Sequence, residues 1–304
     1  MKKLFLFSLL TTAFLLSCEV YPQDDYEEFY VVESYMIANR QLPQVRLSTT
    51  NEALEFYEFE DVAVNNAQIE IRLLETGPES DVETSFGYIR SESGIYTPGQ
   101  NHQVLPERTY EVYITINGTD DIISANTTIP GSFEILAGVR DSVVYQSSEQ
   151  LEITLSESEY PGRQNIFVFN ALSQFPEIEN LTPLYASFFE DTDNPQEDLR
   201  LLSNNSSGII NAANFEGNPD GSVTISYPWI GIAFYEENKI VANTLDDNVY
   251  DFVRSQQVQL GGSTLSPGEI QNAIYHVEGG IGVFGSLASD TVDTFIKRNP
   301  ALSN

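Results

Sequence analysis

Thr109-Tyr110-Glu111-Val112-Tyr113-Ile114-Thr115-Ile116-Asn117-Gly118 decides how the rest of the chain is read. Polar and apolar side chains alternate at period two, the signature of a strand with one face buried. Asn-Gly is the strongest short hairpin signal, and Ile122 to Thr128 supplies the returning strand before Ile129-Pro130-Gly131 stops it. Working towards the amino end, the same pattern recurs. Ala67 to Leu73 and Gln44 to Ser48 alternate, Phe29 to Ile37 is β-branched and aromatic, and Gly87–Arg90 and Gly94–Tyr96 flank a Ser-rich turn. About seven short strands in ~100 residues predict a β-sandwich over 29–130.

Beyond the Pro-Gly boundary, a second β-rich domain is expected over 131–304, with one or two short helices. Ser142–Tyr145, Leu151–Leu155, Asn165–Asn170, Ser222–Ser226 and Trp229–Tyr235 read as strands. The polar stretch Glu190–Asn218 reads as long loops. One segment breaks the pattern: Leu245, Val249, Phe252 and Val253 fall at i, i+4, i+7 and i+8, one face of a helix, with Thr244 and Asp247 as its capping signature.

The first eighteen residues speak to location. Lys2 and Lys3 precede an apolar run from Leu4 to Leu16, too short for the ~20 residues that span a bilayer, so residues 1–17 read as a signal peptide rather than an anchor. The ending Leu15-Leu16-Ser17-Cys18 resembles the bacterial lipobox, which implies acylation of Cys18, the only Cys in 304 residues, and attachment to outer-membrane lipid. Residues 18–28 are acidic and broken by Pro22, a solvated tether. Their acidic cluster also resembles the surface-export signal of Bacteroidota lipoproteins.

Charge narrows the partners. The formal net charge is -31, and cutting before Cys18 removes Lys2 and Lys3 but no acid, leaving Lys239 and Lys297 as the only lysines. Nucleic-acid binding needs basic side chains to displace phosphate counterions, so it is excluded, as is attraction to anionic headgroups. With no disulfide possible inside the chain, sixteen Tyr and eighteen Phe must carry much of the core.

Candidate chemistry is sparse. Gly280-Ile281-Gly282-Val283-Phe284-Gly285 fits a dinucleotide fingerprint, but a poor helix former follows and no βαβ unit can form, so the glycines are read as serving close approach or a bulge in a late strand. Asp191, Asp193, Asn194, Glu197 and Asp198 are the best calcium candidates, since hard cations want several oxygen ligands. Pro195 and the missing Gly depart from the EF-hand, and a solvated loop is the alternative. Asn214, Glu216, Asn218 and Asp220 form a weaker group. His102 and His276 have no Cys partner and no short spacing, against zinc. No Gly-x-Ser-x-Gly elbow starts a hydrolase triad. Trp229 and Phe56-Tyr57-Glu58-Phe59 are aromatic candidates for a ligand, with burial the alternative for Trp229.

Two blocks together resemble an uncharacterised lipoprotein family of Bacteroidota: Glu28 to Ser48, with Pro43-Gln44-Val45-Arg46-Leu47-Ser48, and Leu245 to Ser286, with Asn248-Val249-Tyr250-Asp251-Phe252 and Glu278 to Gly285. The resemblance implies an immunoglobulin-like or transthyretin-like N-terminal sandwich. It also implies an outer-membrane location facing the cell exterior and a TonB-dependent receptor as partner, with no catalytic residue and no cofactor to carry over. Asp141-Ser142-Val143 and Asp290-Thr291-Val292 resemble the O-glycosylation signal of that phylum. The expectation is a non-enzymatic surface lipoprotein accessory to a TonB-dependent transporter. Its rivals are a structural or adhesive protein, with calcium in the acidic loops, and a carboxylate-based hydrolase.

Overall fold

The computed structural model describes residues 26–52, 55–75, 80–139, 141–148, 151–163, 165–189, 192–261 and 273–302. Cys18, the leader, most of the tether and Asp191 lie outside them. The chain is mainly β, 46% strand and 15% helix. No helix among the described residues is long and apolar enough to cross a membrane.

The first seven strands are β1 (Tyr30–Ile37), β2 (Val45–Thr49), β3 (Ala67–Leu74), β4 (Val82–Glu92), β5 (Ile95–Pro98), β6 (Thr109–Ile116) and β7 (Ile122–Thr128). They run in the spatial order β1-β2-β5-β4-β3-β6-β7. β4 belongs to both layers: its first half pairs with β3 and its second with β5. The alternation read from sequence is the alternation of burial, with Tyr110, Val112, Ile114 and Ile116 of β6 turned into the core opposite Val32, Val45 and Leu47. The β6–β7 turn uses its Gly as expected but not in the tightest form. Gly118 has φ +97° while Asn117 is not left-handed, and Thr119 N–H bonds the Ile116 carbonyl, a type II arrangement inside a longer loop.

The remaining elements are β8 (Ile135–Ala137), β9 (Ser142–Val144), β10 (Glu152–Leu155), β11 (Ile166–Ser173), α1 (Pro183–Phe188), α2 (Pro195–Leu202), β12 (Asn204–Asn211), β13 (Val223–Ser226), β14 (Glu236–Leu245), α3 (Asp247–Gly261) and β15 (Ile281–Lys297). β13-β10-β8 form a separate three-stranded sheet. β12-β11-β14-β15 continue the large sheet, and β15 is shared between both halves of the chain. Its first seven residues pair parallel with β1, Val31 with Ile281 through Ile37 with Leu287, and residues 287–296 pair antiparallel with β14. Buried apolar side chains from Val32 to Ile296 form one continuous cluster. Its C-terminal part is aromatic: Phe169 meets Tyr227 edge-on at 5.7 Å, and Tyr145 meets Tyr235 edge-on at 5.6 Å.

Three segments depart from the sequence reading. Trp229–Tyr235 is a 3-10 turn, Trp229–Gly231, followed by backbone outside any strand. Gly231 N–H bonds the Pro228 carbonyl, and the Tyr227 ring lies where a side chain at 231 would be. Within Glu190–Asn218, α2 and β12 replace the expected loops. α2 starts with Pro195 at its first position, carries Glu197 and Asp198 in its first turn and Arg200 in its last, matching the helix dipole. β12 is polar because it is an edge strand paired only with β11. The expected helix begins at Asp247, because Thr244 and Leu245 are still the end of β14.

Candidate functional site

The root of α3 is where the two ends of the fold meet. Asp246 caps the helix: its Oδ1 accepts from Val249 N at 2.8 Å and its backbone N–H bonds the Ser286 carbonyl at 3.0 Å. Its Oδ2 accepts from Thr127 Oγ1 at 2.5 Å, and that hydroxyl lies 2.6 Å from Ser286 Oγ, which donates to the Thr128 carbonyl at 3.0 Å. Burial pushes the Asp246 carboxyl up to about 6, only partly offset by the Thr127 and Val249 hydrogen bonds. One residue on, Asn248 Nδ2 donates to the Asn126 carbonyl at 2.6 Å and to the Phe284 carbonyl at 2.7 Å.

These side chains perform a task that backbone usually performs. Among the described residues β7 meets the segment just ahead of β15 through one isolated bridge, Ser124 with Glu278, and beyond it Asp246 and Asn248 stitch β7 to β15. Asn126 Oδ1, beside that seam, is buried without a hydrogen-bond partner among the described residues. The glycine run is what lets the pieces approach. A Cβ at Gly282, where φ is +108°, would stand 2.2 Å from the Val32 carbonyl oxygen, and one at Gly285 would stand 2.4 Å from Val249 Cγ2. Close approach in a late strand, the reading made from sequence, is what the fold uses them for.

Beside that root, Tyr160 and Arg163 line a cleft of about 700 Å³ together with Glu107, Glu157, Glu159 and Phe215 among others. That volume suits a small ligand. Arg163 is committed to the wall: Nε donates to Asp247 Oδ1 at 2.6 Å, Nη2 donates to the Leu245 carbonyl at 2.8 Å, and the guanidinium sits 4.2 Å from the Tyr160 ring centroid. The Tyr160 hydroxyl accepts from Asp247 N at 2.9 Å, and burial, with the Asp246 charge behind it, raises its pKa. The three glutamates are exposed and make no ion pair among the described residues. The cleft therefore offers negative charge and hydrogen-bond acceptors to a cationic or hydroxyl-bearing ligand.

Other candidates are dispersed. Asp193 is exposed, Asn194 precedes α2, Glu197 pairs with Arg200 at 2.7 Å and Asp198 accepts from Thr192. No group of three or more His, Cys, Asp or Glu among the described residues has metal-holding geometry. In the weaker group, Asp220 Oδ1 accepts from Ser222, and Asn218 Nδ2 donates to Ser222 Oγ. His102 bonds Tyr110 at 2.9 Å and stacks on Phe86, and burial lowers its pKa, while His276 pairs with Asp251 at 2.8 Å. Trp229 is half-buried, edge-on to Tyr145, whereas Phe56 and Tyr57 are exposed. Ser142 lies in β9 and accepts from Lys297 Nζ, and Thr291 is exposed on β15. Sequence reading did not find Asp246 as a cap, although a short acid just ahead of an apolar i, i+4 pattern is that signal. Nothing in the sequence gathers Glu107, Glu157 and Glu159.

A mainly-β chain closed by its own last strand, with a cleft at the root of one long helix, is the class this architecture defines. Residues 18–292 match the family described as a domain of unknown function, DUF4249, and the chain belongs to that family. No curated protein matches it. Among solved structures it is similar to trypsin-activated alpha-2-macroglobulin from Escherichia coli, at 9% identity and TM-score 0.21, covering 73% of this chain and 15% of that one. It is also similar to a tetra-tandem repeat in the extending region of a large adhesion protein, at 10% identity and TM-score 0.26, covering 89% and 49%. The chain thus spans less than half the length of either.

Proposed function

We propose that this protein is a surface-displayed outer-membrane lipoprotein, not an enzyme, that captures or gates an extracellular ligand for a TonB-dependent transporter. One observation carries the reading: the only cysteine of the chain closes a lipobox-like leader, twelve positions ahead of the first strand at Tyr30. At ~3.3–3.6 Å per residue, that tether holds the body within about 40 Å of its anchor. Confinement of that kind raises effective concentration at a neighbouring transporter without any new contact. The cleft supplies a place for the ligand, and its three exposed glutamates, without an ion pair among the described residues, favour a cationic or hydroxyl-bearing one.

Mass spectrometry of the chain purified from membranes tests the anchor: acyl chains on Cys18 support it, and a free thiol overturns it. Co-purification tests the partner: a stoichiometric barrel supports the transporter role, and its absence favours the structural or adhesive alternative. For the calcium-bearing version of that alternative, the check is a rise in melting temperature with calcium.

A further inference from the structure

An apolar face stands uncovered at one pole of the molecule. On α1, Leu184 and Phe188 share one side at i, i+4, and Phe188 is 66% exposed. Ile230, 58% exposed, lies beside them: the Tyr185 hydroxyl donates to the Ile230 carbonyl at 2.6 Å, and the Tyr185 and Phe188 ring centroids are 6.4 Å apart. The face is firmly seated, since Leu181, Ala233 and Phe234 are buried beneath it and Tyr185, Phe189, Leu199 and Leu202 pack on them. Isolated exposed apolar residues need no explanation, but a clustered set on a supported surface marks an interaction site.

Position and charge say what covers it. β15 starts beside Val31 and runs 17 residues, roughly 55 Å at ~3.3 Å each. At its far end Arg298 donates to Glu179 O and to Asn180 Oδ1, and Tyr235 N–H bonds the Asn180 carbonyl, so α1 sits at the pole opposite the amino end. A bilayer holding the amino end would be at the wrong pole. The rim is acidic: Glu177, Glu179 and Asp193 are exposed without an ion pair among the described residues. The nearby cations are committed, Arg200 to Glu197 and Arg298 to the backbone at Glu179. A second copy would bring the same acidic rim and the same strongly negative net charge.

We propose that the face formed by Leu184, Phe188 and Ile230 docks a separate protein that presents an apolar ridge flanked by Lys or Arg. Its direction, away from the envelope, and the exclusion of a bilayer rest on the anchoring reading above, whereas the basic character of its occupant rests on charge. The apolar contact fixes affinity, and the unpaired glutamates make encounter faster with a basic partner and slower at high salt.

The test places p-benzoylphenylalanine at position 188 of the full chain, in cells that make it, with position 56 at the other pole as control. Irradiation is expected to give one discrete protein adduct from 188 and none from 56. The partner peptide read by mass spectrometry should carry apolar residues flanked by Lys or Arg. Ile230→Asp or Leu184→Asp, both exposed positions, should remove the adduct at least tenfold with the melting temperature unchanged. An adduct to lipid, to a second copy or to an acidic peptide overturns the proposal, as does no adduct, or one that survives both substitutions. Fractionation of the same cells separates the two readings. A soluble chain with its adduct intact sinks only the anchor, and a membrane-held chain without an adduct sinks only the docking face.

Discussion

Thr127 and Asp246, 119 residues apart in sequence, are joined by a 2.5 Å hydrogen bond in which both side chains are buried. That bond fixes the last residues of β7 to the first turn of α3, and through Ser286 to β15. Three distant segments thus converge on one carboxylate.

Asp246 should give the protein a measurable pH signature. Its folded pKa is raised from 3.8 to about 6, so between those values the folded chain holds a proton that the unfolded chain releases. Stability therefore falls as pH rises from ~4 to ~6 and levels off above, a loss of about 3 kcal/mol from this group. Asp246→Asn keeps an acceptor for Val249 N–H and cannot ionise. Urea midpoints measured across pH 4–7 should show the variant gaining on the parent through that window, and a difference flat in pH would contradict the assignment.

Asn248 should matter more than its half-exposed setting suggests. Asn248→Ala removes two donors at once and leaves the Asn126 and Phe284 carbonyls unpaired at the seam. The expected cost is about 2–4 kcal/mol. Hydrogen exchange should accelerate at residues 124–127 while the β3–β6 ladder keeps its protection, and uniform acceleration would point to global loss instead.

The glycines separate into two kinds. Gly282→Ala forces a Cβ into the Val32 carbonyl at a left-handed φ, so folded yield should collapse or the melting temperature drop by 10 °C or more, consistent with ~3 kcal/mol or greater strain. Gly87→Ala in β4 meets nothing within 4 Å and should change stability by less than ~1 kcal/mol. Thermal unfolding of the pair checks both.

The two Asp-Ser/Thr-Val triplets should behave differently if the chain is glycosylated. Thr291 is exposed, while the Ser142 hydroxyl is half-buried and bonded to Lys297 Nζ at 2.8 Å. Intact-mass measurement of chain from its own cells should show a glycan lost in Thr291→Ala and retained in Ser142→Ala.

Period-two alternation exposes β2, β3 and β6, because their burial alternates along consecutive residues, while β1 shows in its β-branched and aromatic content and β7 as the return from the Asn-Gly turn. It failed for β12, whose Asn-Asn-Ser-Ser-Gly start is tolerable only at a sheet edge, and for Trp229–Tyr235, where aromatic residues fill space around Gly231 without joining a ladder. The site was harder still. Gly280 to Gly285 announced a close approach but not its partners, since Val32 and Val249 come from opposite ends of the chain. Asp246 was hidden because its meaning lies in Thr127 and Ser286, and Glu107 faces the Glu157–Glu159 segment only after the sheets have assembled.

The parallel pairing of β1 with β15 also has a mechanical meaning. Tension applied between the amino end and the far pole pulls these neighbours in opposite directions along their length, loading seven paired positions simultaneously in shear. Peeling, which would break them one after another at low force, is not available to a tug in that direction. A body leashed by its first strand and gripped at the other extremity would bear traction through the stiffest path in its architecture.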